Sequence, residues 1–130
     1  MEKWYSVRLI YQFVISGGAD NADEFYSEEN DIFEESIILV RASSFEDAYE
    51  KAEKCGKENE RIFTNKYRQT VAYRFIDTLD CYLLGDGIDS PIQVYSSIQA
   101  VEKNTGADAF IDEKLKTELD ISSKHILSEI

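Results

Sequence analysis

The sequence predicts an α+β domain: a mainly antiparallel sheet of four to five strands in the order β-β-α-β-β-β, packed against one long helix, with a C-terminal helical tail. Three observations carry this. Residues 4–15 alternate at period two, as a half-buried strand does. Two serines followed by acidic residues and a helical apolar stripe begin at Ser43, just after a second apolar strand. Beyond that stripe the chain returns to short alternating runs. At 130 residues, 43% apolar and 12% aromatic, it is long enough for one self-sufficient core. Residues 1–100 form the expected α+β unit; residues 101–130 form a helical extension packed on it or appended to it.

In the first strand Tyr5, Val7, Leu9, Tyr11, Phe13 and Ile15 share one face. Gly17-Gly18 ends it. An acidic connection follows, much longer than the two to five residues of an ordinary hairpin loop. The second strand, from about Ile32 to Ala42, is apolar on both faces over 36–40. That places it centrally or beneath a helix. Ser43 with Glu46, or Ser44 with Asp47, can make a capping box. Phe45, Ala48, Tyr49, Ala52 and Cys55 then form the stripe that faces the sheet. The helix ends at Gly56 or continues to about Glu60. Residues 70–76 alternate as a third strand, which either runs on through 77–79 or breaks there at a bulge. Residues 80–84 are a fourth strand, and 92–98 a fifth. The crossover through the helix is long enough for one parallel pair. Phe110, Ile111, Leu115 and Leu119 place a helix in the tail, and a second short helix follows Ser122-Ser123.

Charge is the feature that bears on function. The net charge is −12. Between Gly17 and Val40 stand eight acids (Asp20, Asp23, Glu24, Glu28, Glu29, Asp31, Glu34, Glu35), no Lys or Arg, and the aromatics Phe25 and Tyr26. Over 61–76 the sign reverses: Arg61, Lys66, Arg68 and Arg74, with no acid among them. An acidic chain repels nucleic-acid backbones and anionic lipid surfaces and attracts basic proteins. Neither a nucleic acid nor a membrane is therefore expected as partner. The basic stretch interleaves with Phe63, Tyr67 and Tyr73, a pattern an RNA-binding strand can share. Pairing with acids of a neighbouring element is the expectation preferred here, and an acidic loop of a second copy is a further option.

No catalytic signature stands out. The only histidine, His125, lies in the tail, and Cys55 and Cys81 fall on apolar faces as buried thiols. No zinc spacing occurs. An EF-hand counted from Asp20 fails, with Ala22 at the third position and Phe25 where Gly is needed. Asp77 and Asp80, three apart, would point to opposite faces of a strand and read as turn or bulge residues. No enzyme activity, metal or cofactor is expected. No secretory or membrane-spanning segment is read, so the expected location is cytoplasmic.

The string 4–9 (WYSVRL), then 34–52 (EESIILVRASSFEDAYEKA), resembles a small bacterial family known as a domain of unknown function, DUF4288. The pieces at Tyr73-Arg74-Phe75, Asp80-Cys81-Tyr82 and Val94-Tyr95-Ser96 are similar to its pattern too. The resemblance covers about residues 4–98. It implies a fold unit and a bacterial origin, and it brings no catalytic residues.

The expected function is an acidic protein-binding module, most concretely an immunity protein that binds and neutralises a basic toxin domain, such as a nuclease, by steric and electrostatic blocking. Its partner-binding residues would be Asp20, Asp23, Glu24, Phe25, Tyr26, Glu28, Glu29, Asp31, Glu34 and Glu35, with the two aromatics as anchors. The alternative is an oligomeric or small-molecule-binding α+β domain, such as a homodimer built through its sheet or edge strands. An enzyme whose site forms at a dimer interface is a third class.

Overall fold

The computed structural model describes residues 1–24, 26, 31–87, 90–96 and 98–121. The elements are β1 (Lys3–Ser16), β2 (Ile32–Ala42), α1 (Phe45–Glu58), β3 (Arg61–Thr64), β4 (Thr70–Gly85) and α2 (Ala107–Ile121). The sheet order is β2-β1-β4-β3, antiparallel throughout. The α+β class and the antiparallel sheet are as expected; several details are not. The sheet has four strands, not five. Where one long helix and a helical tail were expected, the helices are short, with 14 residues in α1 and 15 in α2. Residues 70–76 and 80–84 are one continuous strand, β4. The described part of the expected fifth strand, 92–96 and 98, is not a strand; Ser96 O there accepts from the Tyr82 hydroxyl at 2.8 Å. The short β3 went unread in the sequence. The expected second tail helix and His125 lie outside the described residues.

The order of the sheet explains why no parallel pair forms. α1 joins β2 to β3, and these strands occupy opposite edges. It therefore crosses the sheet face over β2, β1 and β4 instead of delivering a neighbour. β2 is thus an edge strand covered on one face, not a central one.

The β1 alternation is what makes the core. Tyr5, Val7, Leu9, Tyr11 and Phe13 are all buried and share one cluster with Ile32, Ala42, Ala48, Ala52, Val71 and Tyr73. α1 begins where Ser44 Oγ accepts from Asp47 N at 3.0 Å. The Asp47 carboxylate returns to Ser43 N at 2.9 Å, one residue before the cap. This reciprocal pairing satisfies one of the backbone donors that a helix start leaves over, at Asp47, and one just before the cap, at Ser43. The helix runs past Gly56 and stops at Asn59, the C-cap.

Three register shifts bend β4 around β1: near Trp4/Tyr5, Val7/Leu9 and Ile10/Tyr11. At each, β4 carries one residue more than β1, as a bulge requires. The sheet curls in consequence, and the half of the core beyond the helix is closed by aromatic packing. Tyr11 stacks on Tyr73 at 4.4 Å, and Phe13 meets Tyr73 at 4.9 Å and Phe63 at 6.5 Å between ring centroids.

At Gly56 α1 lies against Phe75 of β4 with no room for a side chain. A Cβ there would lie 2.4 Å from Phe75 Cδ1 and 2.9 Å from its Cγ. Alanine should gain roughly 1 kcal/mol in helix propensity and lose about 1–3 kcal/mol to overpacking. Gly56→Ala is therefore expected to lower the urea midpoint at unchanged m-value, whereas exposed Lys54→Ala leaves it near the parent's. A Gly56→Ala protein at least as stable as the parent would mean that the helix does not press on Phe75.

Candidate partner-binding surface

The connection from β1 to β2 is docked by its root onto the β3–β4 turn. That turn is built by Asn65, whose Oδ1 accepts from Tyr67 N at 3.0 Å and Gln69 N at 2.9 Å, while Arg68 takes a positive φ of 61°. Asp20 N donates to Tyr67 O at 2.8 Å. The Asp23 carboxylate accepts from the Tyr67 hydroxyl at 2.7 Å and from Lys66 Nζ at 3.2 Å. The Tyr26 ring stands edge-on to Tyr67 at 5.0 Å. Gln69 Nε2 donates to Gly17 O at 2.9 Å and so closes the neck of the loop. Charge pairing inside the chain is thus real at Lys66, the one cation of 61–76 that forms an ion pair among the described residues. Arg61 instead lies over the Tyr73 ring, 4.5 Å from its centroid.

The seven described residues of the ten acidic and aromatic positions do not make one continuous face. Asp20, Asp23, Glu24 and Asp31 are exposed, and Tyr26 is half-buried against Tyr67. Phe25, Glu28 and Glu29 lie outside the described residues. Glu34 and Glu35 are adjacent on β2 and therefore point to opposite faces. Glu34 is on the helix-facing side and accepts a hydrogen bond from the Tyr73 hydroxyl. Glu35 is on the other side, the open face, and pairs with Arg8 at 2.9 Å.

Arg8 organises that open face. Its Nε and Nη2 grip Asp80 in a fork at 3.1 and 2.7 Å. Its Nη1 reaches both Glu35 Oε1 and the Tyr95 hydroxyl at 2.9 Å. The guanidinium carbon lies 4.9 Å from the Tyr95 ring centroid. The bulge opposite Arg8 is what delivers Asp80. Asp77 is registered against Ile10, also on the open face, so the expectation that Asp77 and Asp80 face opposite ways is corrected. Their reading as bulge residues stands. Sequence spacing missed this network, because an inserted residue breaks the parity on which such reasoning rests.

Titration follows burial. The Tyr73 phenol is held well above its ordinary value, first by burial and then by the bond to Glu34. The Cys81 thiol, half-buried near Asp80, is pushed up to about 11 by burial and then by that carboxylate. Both cysteines are free thiols. Among the described residues no three His, Cys, Asp or Glu side chains gather as a metal site. Among them, too, no helix is long and apolar enough to cross a membrane.

The fold and surface together define a small antiparallel sheet with one crossing helix and an acidic loop pinned at its root. Residues 4–96 match the family model for a domain of unknown function, DUF4288, and the chain belongs to that family. No curated protein and no solved structure matches it.

Two outcomes are expected from the titration. In a Cys55→Ser background, alkylation of Cys81 should rise with a midpoint near pH 11; a midpoint at the ordinary thiol value would show that Asp80 and burial do not act on it. For Tyr73, the folded state holds its proton above pH 10 while the unfolded state releases it there. Stability is therefore fully present below pH 10 and is lost as the pH rises. Tyr73→Phe should make this alkaline loss shallower in urea titrations at a series of pH values. An identical slope in the variant would assign the loss to other groups.

Proposed function

We propose that this chain is an acidic protein-binding module that occupies a basic protein surface, and in its most concrete form a cytoplasmic bacterial immunity protein that blocks a cationic toxin domain such as a nuclease. The observation that carries the reading is the pinned acidic loop. Its root is fixed by Asp20 N, the Asp23 carboxylate and Tyr26, while the exposed Asp20, Glu24 and Asp31 face solvent. A fixed root lowers the entropy lost on binding, and outward carboxylates steer a cationic partner and raise the on-rate. The carboxylates would compete for Lys and Arg that otherwise hold phosphate oxygens. The net charge of −12 extends the same attraction to longer range. Asp23 has a different part: engaged by Lys66 and Tyr67, it holds the loop in place.

The test is capture from a lysate of the source organism at low and raised salt, followed by affinity measurement on the captured partner. A basic protein should be retained at low salt and released at high salt. The triple variant Asp20→Asn, Glu24→Gln, Asp31→Asn should bind it on the order of tenfold more weakly, since exposed ion pairs contribute about 0.2–1 kcal/mol each. Unchanged affinity in that variant, or a partner that is not basic, refutes the reading.

A further inference from the structure

The outer edge of β2 raises a separate question. Edge strands in natural proteins are blunted by Lys, Pro, bulges or brevity. The opposite edge obeys this: β3 is only 4 residues long. β2 does not. It runs for 11 residues, IFEESIILVRA, with no Pro, Gly or Lys. Its register against β1 is unbroken from Lys3↔Ala42 to Phe13↔Ile32. Among the described residues no strand pairs with its outer edge. On the open face it presents Phe33, Ile37 and Leu39, at 54%, 39% and 40% exposure. A straight, apolar, unbulged edge of this length is a template for another strand.

The pattern of the strand says which strand. Two copies of β2 related by a two-fold axis must pair antiparallel, with like faces together. One such register places Ile38 on the axis. Glu35 then stands opposite Arg41 of the second copy, Ile37 opposite Leu39, Leu39 opposite Ile37, and Arg41 opposite Glu35. Every open-face pair between 35 and 41 is then either oppositely charged or apolar with apolar. On the helix side Ser36 meets Val40, and Ile38 meets itself. Moving the axis by one residue, to Ile37, sets Glu35 against Leu39 and Arg41 against Phe33. Moving it to Ser36 sets Glu35 against Ile37. Only the Ile38-centred register avoids such mismatches, and cross-strand pairs of this kind are the unit of sheet stability. Glu35 already meets Arg8, yet its side chain remains 50% exposed. Arg41 is exposed beside Trp4, 5.7 Å from that ring's centroid.

We infer that the occupant of this edge is a second copy of the chain, joined β2 to β2 across a two-fold axis at Ile38 into a continuous eight-stranded antiparallel sheet. The mutual repulsion of two chains at −12 works against the dimer and is screened by salt, while the contact itself is charge-matched. The inference is independent of the acidic-loop reading, which stands or falls on Asp20, Glu24 and Asp31.

The test is light scattering on the full chain over a concentration series, with variants that keep the exposed positions soluble. The parent is expected to approach twice its 14.9 kDa mass. Arg41→Glu alone and Glu35→Lys alone each set like charges together at two symmetric points, and each should weaken the dimer roughly tenfold or more. Mixed in equal amounts, the two variants face opposite charges at both points and should recover a dimer. Leu39→Lys, at an exposed site registered against Ser6 and not against Arg8, is the second variant in case Glu35→Lys fails to fold, and it should also be monomeric. A parent that stays at 14.9 kDa at every concentration overturns the inference. So does a dimer indifferent to Arg41→Glu and Leu39→Lys, which would place the second copy on another surface.

Discussion

The pairing of β1 with both β2 and β4 is the constraint from which the rest of the structure follows. β1 is bonded along its length on both sides, and neither partner is joined to it by a short turn to the next strand in sequence. β2 arrives after a long acidic connection, and β4 arrives only after the helix and β3. Once β1 is central, its inward residues Tyr5, Val7, Leu9, Tyr11 and Phe13 have a single place to go. The helix must cover them, and 14 residues cover about 21 Å at 1.5 Å each, less than the span of β1. The bulges in β4 resolve that shortfall. They curl the sheet so that Phe13, Phe63, Val71 and Tyr73 bury one another where the helix has ended.

The legible parts of this fold are those governed by a local period. The β1 face and the Ala48–Ala52 stripe follow from alternation and lie where the sequence placed them, and the helix starts at Ser44, one of the two caps the sequence offered. What escaped has a shared cause. The apolar run 36–40 resembles a buried central strand, yet Ile37 and Leu39 are exposed on an edge. No local pattern distinguishes a strand buried on both faces from one covered on one side and left open on the other. The fusion of 70–76 with 80–84 was hidden because bulges disturb the period without ending the strand. β3 was hidden because four residues carry too little pattern to read.

Of the surface, the sequence displayed the charges but not their partners. The segment 20–35 looks uniformly acidic in one dimension. In three, Asp23 is bonded to Lys66 and Tyr67, Glu34 to Tyr73, and Glu35 to Arg8. Three of the acids are thus parts of the scaffold, and they tie it together at three different places. The polarity between an acidic 17–40 and a basic 61–76 is therefore partly an internal attraction. It fastens the loop to the β3–β4 turn, which lies at the far end of the sheet from the start of the helix.

This division of labour fixes how a partner can approach. Asp20 and Glu24 sit beside the β3–β4 turn, whereas the outer edge of β2 begins only at Ile32. A basic partner drawn to the loop meets carboxylates at the end of the sheet, and a second strand meets backbone along its side. At the start of that edge Glu34 is bonded to Tyr73, and Glu35 keeps its bond to Arg8 while half of its side chain stays exposed. A two-fold axis at Ile38 would carry the N-terminal end of one β2 toward the C-terminal end of the other. The two acidic loops would then lie at opposite ends of the joined sheet, apart from one another. Charge repulsion between loops is thereby kept small, and each loop remains open to a partner of its own.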